Sequence, residues 1–296
     1  MISVITITHN RAHLIGETIK SVVAQTFQDF EYIIIDDNSE DNTYEVVNSF
    51  NDNRIKYFKY QDIDKISRLR NLGINQAKGE FIAFVDSDDI WDENKLQFQV
   101  EKLKLYPDAG FSFHSVSLFN SSGVIKNDLY HDKSGIFTGN IFREIINNEI
   151  VVYPSTLLFR KLCLTEVNMI DENLDEGEHD FIAKLCYHFR VCIIYKPLCK
   201  IRKHNQNINP KNQLRIRPYE EYIKTLNFFY NREQIPKRIY KRMLGSNNYM
   251  IGNSLLSENY YDKAKKYYSL SFKQNPVSIQ GVKAIIKYFL STYYKK

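Results

Sequence analysis

Three carboxylates crowd one short stretch of this chain: Asp86, Asp88 and Asp89, separated only by Ser87 and followed by Ile90 and Trp91. Carboxylates held this close repel one another unless a cation is shared among them. A Mg2+ or Mn2+ ion takes oxygen ligands and is commonly held by one or two carboxylates plus phosphate oxygens of a substrate. Asp86-x-Asp88 offers that arrangement with coordination positions left open. An ion held there offsets charge building on a departing phosphate. The competing reading is a solvated turn in which an Asp caps the next helix. A second acidic cluster, Asp36-Asp37-Asn38-Ser39, supplies acceptor carboxylates suited to a nucleobase imide or a ribose hydroxyl. Arg68 and Arg70 offer compensating positive charge, or form surface ion pairs.

The elements around these residues must place them at one edge of a sheet. Residues 81–85 form an unbroken apolar run rich in strand formers, as in a strand buried on both faces. Further strands are predicted over 2–8, 30–35 and 54–60, alternating with helices over 12–25, 43–50 and 67–78. Gly79 would stop the last of these from a C-cap position, and another helix is expected over 92–106. This alternation predicts an α/β fold with a parallel, doubly wound sheet, its two acidic strand ends on adjacent strands. Ligands of such sheets sit beyond the carboxyl ends of the strands, where both clusters lie. Later strands are expected over 109–118, 155–160 and 191–195, the last closed by Lys196-Pro197, with a hairpin turn at 120–123. Residues 138–147 and 181–189 read as helices, and beyond 205 the pattern is all helical, at about 213–231, 236–256, 259–274 and 277–294.

With 43% hydrophobic and 25% charged residues in 296, the composition is that of a soluble globular protein. No apolar run approaches the roughly 20 residues a membrane span needs. The start of the chain lacks the basic segment and cleavage site of a signal peptide, so the cytoplasm is the expected compartment. Cys163, Cys186, Cys192 and Cys199 show no metal-binding spacing and read as small core residues. Charge is divided unevenly. Residues 196–296 hold 21 Lys and Arg against 5 Asp and Glu, a net +16, while residues 1–195 hold 19 against 30, a net −11. The basic last third is suited either to an anionic partner or to a solvated helical surface. Val282, Ile285, Ile286, Phe289, Leu290 and Tyr293 share one face of the last helix, which would pack on the domain or lie on an anionic bilayer. Residues 248–276 resemble a single tetratricopeptide-like hairpin, but such repeats stack in threes or more, so an ordinary helical hairpin is expected.

In one order along the chain stand Val4-Ile-Thr-Ile-Thr-His-Asn-Arg11, Gln25-Thr-Phe27, Ile33-Ile-Ile-Asp-Asp-Asn-Ser39, Arg70-Asn-Leu-Gly73, Gly79 through Asp89, and Trp91. This series resembles the family 2 glycosyltransferases, densely over residues 1–115, loosely to about 205 and not beyond. The resemblance implies a GT-A domain over 1–208, with a nucleotide-sugar half at about 1–115 and an acceptor half at about 116–208. Residues 209–296 then form a basic helical C-terminal region. It also implies an inverting transfer from a nucleotide-diphosphate sugar, usually a UDP-sugar, to a hydroxyl acceptor, with Mn2+ or Mg2+ as cofactor. The expected setting is bacterial surface polysaccharide synthesis (capsule, O-antigen or lipooligosaccharide). The acceptor would be a glycan or polyprenyl-diphosphate-linked, with no nucleic-acid partner and peripheral contact with the inner face of the cell membrane.

Residue by residue, the resemblance puts Asp37 on the base, with His9 stacking where the family often has Tyr. Arg70 would lie near the base or diphosphate, Asp86 would contact the ribose, and Asp88 would bind the metal. Thr8, Arg11 and Ser87 join this nucleotide-sugar-binding set. The family's catalytic base sits in an acidic motif opening a helix, often Glu-Asp; here the matching stretch is Glu176-Gly-Glu-His-Asp-Phe181. The base is Glu178 or Asp180, with Glu178 favoured because His179-Asp180-Phe181 fits the residues that follow it. The alternative role for these acids is stabilisation of the helix dipole. His204, flanked by Arg202 and Lys203, matches a His that some relatives use as an additional metal or diphosphate contact. Asp89 is expected to cap the next helix and Trp91 to pack below the site.

Two other function classes compete. A phosphoryl-transfer hydrolase with an aspartate nucleophile at Asp86 would carry its motif on the first strand, whereas here the motif closes the fourth. A non-catalytic sugar-nucleotide-binding or scaffolding protein would keep the fold without the base.

Overall fold

The computed structural model describes residues 1–61, 63, 65–203 and 216–293. The chain forms two compact units, Met1–Ile145 with Ile150–Asn207, and Ile146–Glu149 with Ile208–Lys296.

The first unit is built on one sheet. Strands β1 (Ile2–Thr8), β2 (Phe30–Asp37), β3 (Ile55–Tyr60) and β4 (Phe81–Phe84) run parallel in the spatial order β3-β2-β1-β4. Crossovers run through α1 (Ile15–Val23), α2 (Thr43–Asn48) and α3 (Ile66–Gln76). Ile33, Ile34 and Ile35 are fully buried, the continuous apolar run that a strand covered on both faces requires. The two acidic strand ends are not on adjacent strands, because β1 lies between β2 and β4. Two strand spacings of roughly 10 Å therefore separate them, room for a ligand to lie across the end of β1.

The rest of the sheet is mixed. It comprises β5 (Ile90–Trp91), β6 (Ala109–Asn120), β7 (Gly123–Lys126), β8 (Ile136–Gly139), β9 (Leu158–Arg160) and β10 (Arg190–Arg202). Beyond β4 the order continues β9-β6-β10-β5, with β9 antiparallel to both neighbours and β10 parallel to β6. Helices α4 (Lys95–Leu105), α5 (Phe142–Ile146), α6 (Leu164–Val167) and α7 (Glu178–His188) flank it.

Several local expectations change. Gly79 is no left-handed C-cap; a Cβ there would stand 2.6 Å from the backbone nitrogen of Ser3, so the glycine permits close approach to β1. Pro197 does not end the last strand. β10 runs through it with register shifts on both sides, where a missing N–H donor is tolerated. Residues 138–147 divide between β8 and α5, and residues 154–156 form a 3-10 turn ahead of β9. Helix α4 starts at Lys95, and its first turn is clipped by Gln25 at the end of α1. The Gln25 side chain accepts the Leu96 N–H at 3.0 Å and donates to the Asp92 carbonyl at 2.7 Å. All four cysteines are buried and free.

The second unit holds α8 (Arg217–Asn231), α9 (Lys237–Ser257), α10 (Tyr261–Gln274) and α11 (Ile279–Tyr293). Ile251, Leu255, Ala264, Tyr268 and Ala284 form its core. Gly252 lets α9 meet the Tyr268 ring, which a Cβ would approach to 2.6 Å. Among the described residues, no helix is long and apolar enough to cross a membrane.

Candidate functional site

The acidic turn after β4 is fixed from several sides. Asp86 donates its backbone N–H to the Ser155 hydroxyl at 3.0 Å, and that hydroxyl donates to Asp89 Oδ2 at 2.5 Å. Asp89 Oδ1 accepts the Arg202 N–H at 3.1 Å, and the Arg202 side chain donates from Nε to the Asp88 carbonyl at 3.0 Å. Thr18 donates its hydroxyl to the Asp89 carbonyl at 2.9 Å. Asp89 is thus a buried anchor and not a helix cap; burial, then Asp86 and Asp88, push its pKa well above the ordinary value. Trp91 is buried as expected and donates its indole N–H to the Ser155 carbonyl at 2.9 Å. Beneath it lies a residue type that rarely enters a core. Lys95 is fully buried, 3.8 Å from the Trp91 ring centroid and 2.7 Å from Gln99 Oε1, and burial lowers its pKa to about 7.

Arg70 links this turn to the acidic stretch downstream. Its guanidinium is 4% exposed, lies 3.3 Å from Asp86 Oδ1, and forms an ion pair with Glu178. Helix α3, which carries Arg70, also pins the loop leading to α7. Asn71 Nδ2 donates to the Ile170 carbonyl at 2.8 Å and its Oδ1 accepts the Ile170 N–H at 3.1 Å; Ser67 donates its hydroxyl to the Leu174 carbonyl at 2.6 Å. Gly177 then takes φ +68°, and a Cβ there would press to 2.5 Å on Ile170. The chain so turned delivers Glu178 to Arg70. Burial pushes the Glu178 carboxyl up to about 7, Arg70 opposes that shift, and Asp86 and Glu176 add to it. Asp180 turns elsewhere, pairing with Lys184 at 2.6 Å. Arg68 also turns away, toward Glu172 at 3.6 Å.

At the end of β2, Asp36 is buried and structural: its two oxygens accept the Ser39 N–H at 2.6 Å and the Tyr57 hydroxyl at 2.7 Å. Asp37 is half-buried and accepts the Ile63 N–H at 2.8 Å. His9 Nδ1 lies 2.5 Å from the Asp37 carbonyl, so the ring and the acid sit side by side. Thr8 closes β1 with a buried hydroxyl that has no hydrogen-bond partner among the described residues. Arg11 donates its backbone N–H to Thr43 Oγ1 at 3.1 Å, and Ser87 is buried within the acidic turn. His204 lies outside the described residues.

Among the described residues, no three His, Cys, Asp or Glu side chains form a complete metal cage. The donors fit a hard divalent cation completed by phosphate oxygens. Asp89 is committed to Ser155 and Arg202, and Asp88 is half-buried in the same turn. The crowding is real: burial, and then Asp88, push the Asp86 pKa up against the pull of Arg70. A cation would relieve that repulsion. Sequence reasoning missed Ser155 and Arg202, tied to the turn by contacts between residues distant in the chain, and Lys95, whose burial between Trp91 and Gln99 is not marked by its residue type.

Comparison with known proteins bears on the family and the fold. The family model described as glycosyl transferase family 2 matches residues 3–165. An uncharacterised glycosyltransferase of Rickettsia conorii is 37% identical over 180 residues, 60% of this chain and 28% of that protein. The Escherichia coli UDP-Glc:alpha-D-GlcNAc-diphosphoundecaprenol beta-1,3-glucosyltransferase WfgD is 35% identical over 125 residues, 42% of this chain and 49% of the relative. The chain thus spans about a quarter to a half of the lengths of these relatives. In fold, S. aureus TarS 1-349 in complex with UDP-GlcNAc superposes with a TM-score of 0.68 at 18% identity, covering 99% of this chain and 91% of TarS 1-349.

Proposed function

The chain belongs to glycosyl transferase family 2, and from that premise we propose that it moves a sugar from a UDP-sugar to a hydroxyl acceptor with inversion at the anomeric carbon. The observation that carries the reading is Arg70, a buried cation touching both Asp86 of the donor-side turn and Glu178 of α7. It brings a donor-binding acid and a candidate base to one place. The acceptor oxygen attacks the anomeric carbon while that carbon's bond to the diphosphate oxygen breaks. The acceptor's proton passes to the Glu178 carboxylate, and UDP departs. A carboxyl with a pKa of about 7 is basic enough to take that proton near neutrality. Asp37 accepts from the uracil imide, the His9 ring offers a stacking face, and Asp86 accepts from the ribose. Asp88, together with diphosphate oxygens and any contribution from His204, would hold Mn2+ or Mg2+, which when bound neutralises charge on the leaving diphosphate. Catalysis is assigned to residues 1–208, with donor binding in about 1–115 and acceptor binding in about 116–208.

The test is transfer from a panel of UDP- and GDP-sugars with Mn2+ to glycan and polyprenyl-diphosphate-linked acceptors. Asp88→Ala is expected to lose on the order of 1000-fold or more of the rate, the scale of several kcal/mol of charge stabilisation. Transfer by that variant at the wild-type rate would sink the mechanism. UDP binding without transfer to any acceptor would point to the non-catalytic binding protein instead.

The acceptor class we favour is a sugar on a polyprenyl diphosphate, used in surface glycan synthesis. Two relatives named for diphosphoundecaprenol acceptors support this class, as does helix α11. That helix exposes Ile279, Val282, Ile286, Phe289 and Leu290, with Lys283 also exposed, in a region of the chain rich in Lys and Arg. This pattern suits a helix lying on an anionic bilayer and supports a peripheral position on the cytoplasmic face. Vesicles rich in anionic phospholipid should sediment the wild-type chain, and Ile286→Glu with Phe289→Glu should release it. Equal sedimentation of the two proteins would remove the membrane from the proposal.

A further inference from the structure

Ser155 lies in the 3-10 turn Pro154–Thr156, far along the chain from the acidic turn, and is fully buried. Its hydroxyl is used twice. It accepts the Asp86 N–H at 3.0 Å and donates to Asp89 Oδ2 at 2.5 Å. Its carbonyl accepts the Trp91 indole N–H at 2.9 Å. One residue therefore grips the acidic turn at its first acid, its last acid and the aromatic residue that closes it. Asp88 lies between the gripped points. Within the turn itself, the Asp89 N–H donates to the Asp86 carbonyl at 3.1 Å, while repulsion between neighbouring carboxylates works to open it.

We infer that Ser155 is a positioning residue for the donor diphosphate, acting by fixing the turn that presents Asp88. This rests on the proposed reading that Asp88 faces a cation shared with that diphosphate. Removing the hydroxyl strands the Asp86 N–H and takes a donor from the buried Asp89 carboxyl, which among the described residues keeps the Arg202 N–H. The first and last acids of the turn are then no longer tied to one point, and the turn opens. Supporting residues that orient metal-binding carboxylates typically change metal affinity by about 10- to 100-fold when removed. Thr156 makes a useful control. It sits in the same 3-10 turn and donates its hydroxyl to the Tyr153 carbonyl at 2.7 Å, without touching the acids.

The experiment is calorimetric titration of the full chain with UDP, once with Mn2+ and once with EDTA, alongside thermal melting. Wild type is expected to bind UDP more tightly with Mn2+. Ser155→Ala should lose about tenfold or more of the Mn2+-supported affinity, a larger factor than it loses in EDTA. Thr156→Val should keep both affinities. If Ser155→Ala does not fold, Ser155→Cys, close in volume and a weaker donor, takes its place and should show a smaller loss of the same kind. Equal Mn2+ dependence in wild type and the serine variant overturns the assignment and leaves the functional reading intact. A loss of the same size in Thr156→Val also overturns it, since the effect would then belong to the 3-10 turn as a whole. A wild-type chain whose UDP affinity ignores Mn2+ overturns the metal part of the functional reading, and this inference with it.

Discussion

The ends of β2 and β4 look alike as sequence, Asp-Asp-Asn-Ser and Asp-Ser-Asp-Asp, yet they are held in opposite ways. At the end of β2 the acids are satisfied from within the first half of the sheet. Asp36 takes the Ser39 N–H and the Tyr57 hydroxyl, and Asp37 takes the Ile63 N–H. At the end of β4 the partners of Asp89 are Ser155 and Arg202, and the Arg70 that meets Asp86 also meets Glu178. One strand end is finished by its own neighbourhood. The other is complete only when the second half of the chain folds back onto it. Damage to the first should therefore cost stability, and damage to the second should cost chemistry.

The largest expected effect lies where the β4 end reaches farthest. Glu178→Gln keeps the shape of the side chain but cannot take a proton, and general-base removal typically costs about 100- to 10,000-fold in rate. UDP affinity should stay that of wild type. The wild-type kcat/KM should rise with pH through about 7, the value to which burial lifts the Glu178 carboxyl, because the base works only when deprotonated. Glu178→Gln should lack that limb. The stability sign runs the other way. A carboxyl raised from 4.5 to about 7 binds its proton more tightly in the folded chain. Its contribution is full below 4.5 and is lost as pH rises through about 7. A Glu178→Gln enzyme that retains rate and pH limb, with Asp180→Asn losing both, would move the base to Asp180.

The same contrast decides what the sequence could reveal. The first half of the sheet is legible because each strand and helix carries its own period, and because acids at strand ends are a local pattern. Asp37, Arg70, Asp86 and Asp88 were all nameable on that footing. The mixed half is harder. β9 is three residues long, β10 passes through Pro197 with register shifts, and a 3-10 turn precedes β9 where a strand was expected. Ser155 had no signal of its own, since a serine in Pro-Ser-Thr is a turn residue unless one knows which carboxylates the fold brings to it. Asp89 was misread for the same reason. A cap is the local explanation of an acid before a helix, and its actual partners come from a turn and a strand much later in the chain. Gly79 has the local look of a helix stop, but the constraint on it is the backbone of β1.

The smallest effect tests the other strand end. Tyr57→Phe removes one donor to the buried Asp36, which keeps the Ser39 N–H at 2.6 Å. A lost hydrogen bond to a charged acceptor costs about 1–3 kcal/mol. In a unit of this size that lowers Tm by roughly 2–4 °C for each kcal/mol. Asp37, the proposed uracil contact, keeps the Ile63 N–H at 2.8 Å. UDP affinity with Mn2+ should therefore stay within about twofold of wild type, the range expected when two sites do not share partners. Melting and calorimetry on the same preparation separate the two ends: Tyr57→Phe should move the melting curve and Ser155→Ala the Mn2+-dependent binding. If Tyr57→Phe weakens Mn2+-dependent UDP binding as much as Ser155→Ala does, the two strand ends act as one coupled site across β1. The division between a self-contained end and an end completed from afar would then not hold.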